Sequence, residues 1–187
     1  MTILYAIPAG ILAGFLLRGR LDGLLELKFR WAWLAIGGLL VQVVLFTELG
    51  DRLVGDLAPA VYVASTVAVL VALLRNIRLA GLPLAAAGSF LNLAAILANG
   101  GAMPADAAAL RAAGFDGPGD HTNSVVLAEP ALRPLTDIFA VPAGVPLANV
   151  FSVGDVLIAV GVAWAIAAAM RRAAPGAEAS AITADPA

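Results

Sequence analysis

Five long apolar stretches dominate the pattern of hydrophobic and polar positions along this chain. They cover Met1–Leu17, Trp31–Leu49, Leu57–Leu74, Leu79–Ala98 and Phe151–Met170. An α-helix rises about 1.5 Å per residue, so each stretch is about long enough to cross a hydrocarbon core of roughly 30 Å. The pattern therefore predicts an all-α fold, a polytopic membrane bundle of five transmembrane helices that forms a single domain over residues 1–172.

Composition supports the bilayer as the surroundings of this chain. Of its 187 residues 61% are hydrophobic and 13% are charged, and its mean hydropathy is +0.95. Soluble proteins carry about a quarter charged residues, so the composition excludes an ordinary soluble domain. No basic patch with interleaved aromatic residues occurs, and we expect no nucleic-acid partner. The absence of cysteine excludes disulfides, thiolate metal sites and cysteine catalysis.

Basic residues fall in alternate connections between the apolar stretches. Eight of the eleven lie between the first and second stretches, between the third and fourth, or after the fifth: Arg18, Arg20, Lys28, Arg30, Arg75, Arg78, Arg171 and Arg172. Cytoplasmic connections of membrane proteins carry an excess of Lys and Arg. We therefore predict a multi-pass protein of the bacterial cytoplasmic (plasma) membrane, with its N-terminus outside and its C-terminus in the cytoplasm.

One long connection, Asn99–Val150, joins the fourth and fifth stretches on the predicted outer side. Its proline and glycine positions predict a short helix over Pro104–Ala113 and an exposed turn over Asp116–Asn123. The uncharged segment Ile138–Leu147 is too short to span, so we expect it to be re-entrant or packed on the bundle surface. The connection is interpreted as an ordered lid. The tail, Ala173–Ala187, is predicted to be disordered.

Small residues recur every four positions in two of the stretches. They are Ala6, Gly10 and Gly14 in the first, and Ala60, Ala64, Ala68 and Ala72 in the third. Such rows let helix backbones approach closely. We favour packing within the monomer, and the alternative is an interface with a membrane protein partner or with a second copy in a homo-oligomer.

Polar side chains occur toward the outer ends of stretches two to five and in the segments that flank them. They are Gln42, Ser65, Ser89, Asn92, Asn99, Asn149, Ser152 and Asp155, with Thr66 beside Ser65. Polar groups in lipid need partners, so these should converge on the bundle interior. One hypothesis is a small ligand-binding pocket that opens outward beneath the lid. The other is hydrogen bonding between helices, worth about 0.6 kcal/mol per contact.

Asp155 is the one carboxylate in the interior of an apolar stretch, since Glu48 stands at the end of the second, and it has two interpretations. It is a proton- or cation-handling group in the first. In the second, which we favour, Ser152 and Asp155 have the spacing of a capping box at a helix N-terminus, with aspartate in the acidic position.

No catalytic or metal-binding motif occurs. His121 is the single histidine, and with Asp116 and Asp120 it offers at best a weak cation site in a solvated turn. We therefore expect no metal, no cofactor and no catalytic residue that can be assigned from a motif.

Two segments carry a resemblance to a known family. They are Asn-Gly-Gly-Ala-Met-Pro at residues 99–104 and Asn-Val-Phe-Ser-Val-Gly-Asp-Val-Leu-Ile at residues 149–158. With the connection between them, they resemble an uncharacterised family of small bacterial multi-pass membrane proteins, a domain of unknown function. The resemblance implies a fold and a membrane location, and it implies no activity.

Three functions are compatible with this pattern. The favoured one is a non-enzymatic accessory or scaffolding protein that binds a small polar ligand or a lipid headgroup at its outer face. The alternative is a small solute or ion transporter, which a polar cavity through the bundle would favour. The third is a membrane-embedded enzyme using Asp155, Asp137 or His121, which two juxtaposed carboxylates in a closed outer cavity would favour.

Overall fold

The computed structural model describes residues 3–115 and 124–172, with the side chains of Ile3, Asp51 and Ser124 excepted. The predicted turn over Asp116–Asn123, which contains His121, and the tail 173–187 lie outside the described residues. Within them the chain is mostly helical. The helices are α1 (Ile3–Leu16), α2 (Asp22–Leu25), α3 (Ala32–Leu45), α4 (Glu48–Val54), α5 (Ala58–Arg75), α6 (Leu82–Ala98), α7 (Ala107–Ala112) and α8 (Val153–Arg172).

The five apolar stretches all form helices, and the second ends earlier than predicted. Helix α3 stops at Leu45, because the backbone leaves the helical conformation at Phe46. The hydroxyl of Thr47 then accepts a hydrogen bond from the amide of Gly50 at 3.3 Å, and a separate helix, α4, begins at Glu48. The predicted second stretch is therefore wrong at its C-terminal end.

Two helical segments in the described part of the chain are long and apolar enough to cross a membrane. They are Glu48–Arg75, which continues through a turn of 3-10 helix at Gly55–Leu57, and Val153–Arg172. The other three apolar helices, α1, α3 and α6, have 10–17 residues.

The long helices pack side by side in the order α1, α8, α6, α5, α3. Glycines bring α6 and α8 into backbone contact: a Cβ atom on Gly161 would lie 2.6 Å from the amide nitrogen of Ala85, and one on Gly88 would overlap the carbonyl of Gly154. This close approach sets the side chains at the loop end of α6 against the first turn of α8.

The small residues of α1 pack against α8 within the same chain. Ala6 is buried, and Cβ atoms on Gly10 and Gly14 would collide with Ala163 and Met170 of α8. The row in α5 is divided, because Ala72 is buried whereas Ala60 and Ala64 are exposed.

The long connection is folded, and its elements differ in part from those predicted. Strand β1 (Met103–Pro104) pairs in parallel with β2 (Ser124–Val125), and β3 (Phe139–Val141) pairs antiparallel with β4 (Asn149–Phe151). The short helix α7 begins at Ala107 because the Asp106 carboxylate caps it at Ala108 and Ala109. Pro104 therefore lies in a strand and not in that helix.

The segment Ile138–Leu147 forms strand β3 and the turn after it, and no membrane re-entrant helix. The backbone hydrogen bonds of β3 are satisfied by β4, which leaves this segment no need for a helical conformation. The hydroxyl of Tyr5 in α1 donates a hydrogen bond to the carbonyl of Pro146, so the turn is attached to the bundle.

Candidate functional site

A cavity of about 270 Å³ lies at the loop end of the groove formed by α3, α5, α6 and α8. The folded connection covers it through Met103, Asp137, Asn149 and Val150. It is lined by Ala35, Leu39, Gln42, Tyr62, Thr66, Val69, Leu73, Ala85, Ser89, Asn92, Ile96, Met103, Asp137, Asn149, Val150, Asp155, Ile158 and Val162.

The lining divides into a polar half beneath the connection and an apolar half farther down the bundle. All charged and amide side chains of the lining lie in the upper half, which contains Gln42, Thr66, Ser89, Asn92, Asp137, Asn149 and Asp155 together with Tyr62, Ile96, Met103 and Val150. The lower half is wholly apolar and is formed by Ala35, Leu39, Val69, Leu73, Ala85, Ile158 and Val162. The division follows from the sequence, because the polar residues of each helix lie toward its loop end. One end of the cavity is therefore polar and the other apolar, which matches the two parts of an amphiphilic molecule.

A hydrogen-bond network joins α6 to the start of α8 at the polar end. The amide nitrogen Nδ2 of Asn92 donates to Oδ1 of Asp155 at 3.0 Å, and the Ser152 hydroxyl lies 2.8 Å from Oδ1 of Asn92. Ser152 is fully buried. Buried polar groups are retained when they are hydrogen-bonded, so Asn92 is fixed in orientation by its two partners.

The predicted capping box between Ser152 and Asp155 is confirmed. The backbone amide of Ser152 donates to Oδ2 of Asp155 at 3.0 Å, and the amide of Asp155 donates to the Ser152 hydroxyl at 3.0 Å. Both oxygens of Asp155 are engaged, because Oδ1 also accepts from Asn92. Asp155 therefore both caps helix α8 and lines the cavity.

Asp137 is the second carboxyl group of the cavity, and it is deeply buried. Its residue is 5% exposed, and its carboxyl group accepts no hydrogen bond from any residue in the described part of the chain. Burial, and secondarily the charge of Asp155, raises the pKa of Asp137 to about 7. The backbone holds it in place: its amide donates to the Pro104 carbonyl and its carbonyl accepts from the Asp106 amide, both at 3.0 Å.

The wall formed by α3 and α5 carries a second polar contact. Nε2 of Gln42 donates to the Thr66 hydroxyl at 3.3 Å, and that hydroxyl donates to the Tyr62 carbonyl at 2.9 Å. The Ser65 hydroxyl donates to the same carbonyl at 2.8 Å. The first two bonds engage donors of the cavity wall, whereas Ser65 lies outside the lining.

Five of the eight predicted site residues line the cavity together: Gln42, Ser89, Asn92, Asn149 and Asp155. Ser152 adjoins it through Asn92 and Asp155. Ser65 is buried on α5 and does not line it. Asn99 lies apart from it, because its side chain exchanges two hydrogen bonds of 2.9 Å with the backbone of Ala131 and so fastens the connection to α6.

Three polar lining residues are absent from the predicted site: Tyr62, Asp137 and Thr66, which the sequence analysis names only beside Ser65. In the sequence, Asp137 is a candidate only for the enzyme alternative, since nothing in the local sequence indicates that its side chain turns toward the helices. The sequence does offer one signal that Asp137 is buried: it follows Pro134 closely and stands directly before the apolar segment that begins at Ile138.

The charge of the lining is acidic. It includes two carboxyl groups and no Lys, Arg or His among the described residues. Across the described residues no group of three or more His, Cys, Asp or Glu side chains is placed to hold a metal ion. The polar end therefore suits a ligand with hydrogen-bond donors or positive charge.

Residues 26–167 match a family of unknown function, DUF5317. The chain belongs to this family. The match covers α3, α5, α6, the connection and α8 as far as Ala167, and it leaves out α1 and α2, so the candidate site lies within the matched part of the chain. No curated protein and no solved structure matches the chain.

Proposed function

We propose that this protein spans the bacterial cytoplasmic membrane with five helices, with its N-terminus outside and its C-terminus in the cytoplasm. Large apolar side chains on the outer faces of these helices support this proposal, for example Val43, which is 64% exposed, and Phe90, which is 61% exposed. Monomeric soluble proteins rarely expose continuous apolar surface on this scale.

The distribution of charge supports the proposed orientation. The Arg20 amide bonds the Met170 carbonyl and the Arg30 amide bonds the Asn76 side chain, so the basic connections lie at one end of the bundle and the folded connection at the other. The Arg75 guanidinium lies 5.6 Å from the centre of the Trp31 ring at the basic end. Tryptophan and basic residues are typical of a membrane interface.

We further propose that the protein is a non-enzymatic accessory or scaffolding protein that binds a small polar group, as a free ligand or a lipid headgroup, beneath its outer connection. The observation that carries this proposal is the cavity of about 270 Å³, whose polar end is formed by Asn92, Asp137 and Asp155. A buried carboxyl group without a donor is costly, and a ligand that donates to Asp137 would remove that cost. The exposed Ala60 and Ala64 offer a face for a membrane protein partner or a second copy.

Two carboxyl groups in one cavity favour a membrane-embedded enzyme as the second candidate. Against it, both oxygens of Asp155 are occupied by the cap and by Asn92, which leaves Asp137 alone available to move a proton. Transport is less favoured, because the polar part of the lining ends at Ser89 and the described residues below it are apolar.

The test of the proposed binding function is to identify what the protein carries. The full chain is purified in a mild detergent, and native mass spectrometry measures any bound molecule in the wild type and in Asn92→Leu. We expect a bound small molecule that the variant loses. A wild-type mass equal to that of the bare chain would overturn the proposal, and turnover of the bound molecule would favour the enzyme.

The orientation is tested with single cysteines, since the chain has none of its own. The cysteine of Glu129→Cys should react with a membrane-impermeant maleimide in intact cells. The cysteine of Arg78→Cys should react only after the membrane is permeabilised. Labelling of Arg78→Cys from outside intact cells would contradict the proposed orientation.

A further inference from the structure

The hydrogen-bonding state of the cavity indicates the chemistry of its ligand, an inference that rests on the proposed function. Three donors on its walls are used within the protein: the amide of Gln42 bonds Thr66, the hydroxyl of Thr66 bonds a backbone carbonyl, and the amide of Asn92 bonds Asp155. Ser89 and Asn149 also line the cavity, and their side chains can donate or accept. An ionised carboxyl group can only accept, and the carboxyl group of Asp137 has no donor among the described residues, whereas both oxygens of Asp155 are engaged. Asp137 is therefore the acidic group of the described lining that still needs a hydrogen-bond donor.

The acidic charge of the cavity favours a ligand whose hydrogen-bond donor is positively charged. Asp137 and Asp155 repel each other when both are ionised, and no basic side chain of the described lining compensates them. The positive charge of the chain's N-terminus opposes this effect on Asp137, but it is a smaller influence than Asp155. Buried charges are stable when they are paired. An ammonium group supplies both the donors and the positive charge, whereas a phosphate or carboxylate supplies neither.

The lower half of the cavity indicates that the ligand also has a hydrocarbon part. Its lining is apolar, and Leu39 remains 41% exposed at the side of the groove, where α3 borders it. In the proposed membrane setting this side faces lipid, so a chain can enter laterally.

We propose that the cavity binds an amphiphile with an ammonium headgroup. The headgroup pairs with Asp137 beneath the folded connection, next to Asp155, and the hydrocarbon chain lies along Leu39, Leu73 and Val162. Gln42, Ser89 and Asn149 supply further acceptors around the headgroup.

The test uses three probes that share one chain and differ in the headgroup: dodecylammonium, dodecanol and dodecanoate. Binding to the full-length protein in maltoside micelles is measured by native mass spectrometry and by the shift in melting temperature. We expect dodecylammonium to bind about tenfold or more tightly than dodecanol, since hydrogen bonds to charged groups are the stronger ones, and dodecanoate to bind most weakly.

Two variants locate the effect. Asp137→Asn should abolish the preference for the ammonium probe, and the control Asp56→Asn, which removes an exposed carboxylate at the start of α5, should keep it. Leu39→Trp fills the side of the groove at a position whose side chain is 41% exposed. It should weaken dodecylammonium and leave ethylammonium unchanged.

The outcomes separate this inference from the proposed function. Equal binding of dodecylammonium and dodecanol, or tighter binding of dodecanoate, would overturn the ammonium inference and leave a binding site in place. Failure of all three probes to bind would overturn the ammonium amphiphile. The proposed function would still stand if the purified wild type carries a bound molecule that Asn92→Leu loses. Equal affinity for ethylammonium and dodecylammonium would show that the hydrocarbon part is not recognised, and would refute the amphiphile.

The ammonium headgroup has two sources, a membrane phospholipid with an ethanolamine head or another amphiphilic amine. Nanodiscs of phosphatidylglycerol, with and without added phosphatidylethanolamine, distinguish them. Stabilisation by phosphatidylethanolamine that Asp137→Asn removes identifies the lipid. Stabilisation by dodecylammonium alone identifies an amine from outside the bilayer lipids.

Discussion

Replacing Asp137 by asparagine tests how the fold holds a buried carboxyl group. Burial and the neighbouring Asp155 raise the pKa of Asp137 from 3.8 to about 7. Each pKa unit corresponds to about 1.36 kcal/mol, so the displacement corresponds to about 4 kcal/mol between the two protonation states. Asparagine keeps the shape of the side chain and cannot ionise.

The sign of the effect follows from proton binding. The folded protein holds the Asp137 proton more tightly than the unfolded chain does, so the free energy of unfolding falls as pH rises from about 4 to about 7 and then stays level. In Asp137→Asn, the free energy of unfolding should not decrease in this way as pH rises. At about pH 8 the variant should be more stable than the wild type, by as much as about 4 kcal/mol.

The measurement is unfolding of the full chain in detergent, without added amine, followed by tryptophan fluorescence from about pH 5 to about pH 8. Asp106→Asn is the matched control. Hydrogen bonds from the amides of Ala108 and Ala109 lower the pKa of Asp106. Its stabilising contribution is therefore complete above the ordinary pKa of 3.8 and is lost only at lower pH, outside the range of the measurement. Asp106→Asn should therefore leave the pH dependence of stability in this range unchanged.

Two results would refute this reasoning about Asp137. One is a wild-type stability that does not change over this pH range, and the other is an Asp137→Asn variant with an unchanged pH dependence. Either would show that the carboxyl group is solvated or paired in the folded protein.

Two further predictions concern the contact between α6 and α8. A double-mutant cycle between Ser152→Ala and Asp155→Ala should give a coupling free energy of about 1 kcal/mol, because the capping bonds are reciprocal; a coupling near zero would contradict the capping box. Gly88→Ala should destabilise the fold by about 1–3 kcal/mol, because its Cβ would overlap the Gly154 carbonyl. The control Gly37→Ala, whose Cβ meets nothing within 4 Å, should be neutral or stabilising; equal effects of the two would contradict the close approach.

The apolar helices and the cap were predictable because they depend on local sequence. Helix-length apolar runs end near glycine, proline or charged residues, so all five helices occur within a few residues of their predicted positions. The Ser152–Asp155 pair is three residues apart on one turn, and that spacing alone brings the two groups into contact. The early end of α3 was missed, because Phe46 and Thr47 carry no strong signal for a helix end.

The folded connection was predictable only in outline. Its order follows from apolar and proline-rich composition, but parallel pairing of Met103–Pro104 with Ser124–Val125 joins residues about twenty positions apart. Such pairing depends on the helices that bring the two segments together, and sequence periodicity contains no information about it.

The sequence by itself determined which side chains of the helices are polar and at which end of the bundle they lie, because the rise of a helix fixes the height of each residue. The tertiary structure decided which of them share a cavity. The glycine contacts between α6 and α8 bring Asn92 to Asp155, Asn99 is directed instead to the backbone of Ala131, and the fold of the connection turns Asp137 inward. Each of these depends on contacts between segments distant in the chain, and only packing specifies them.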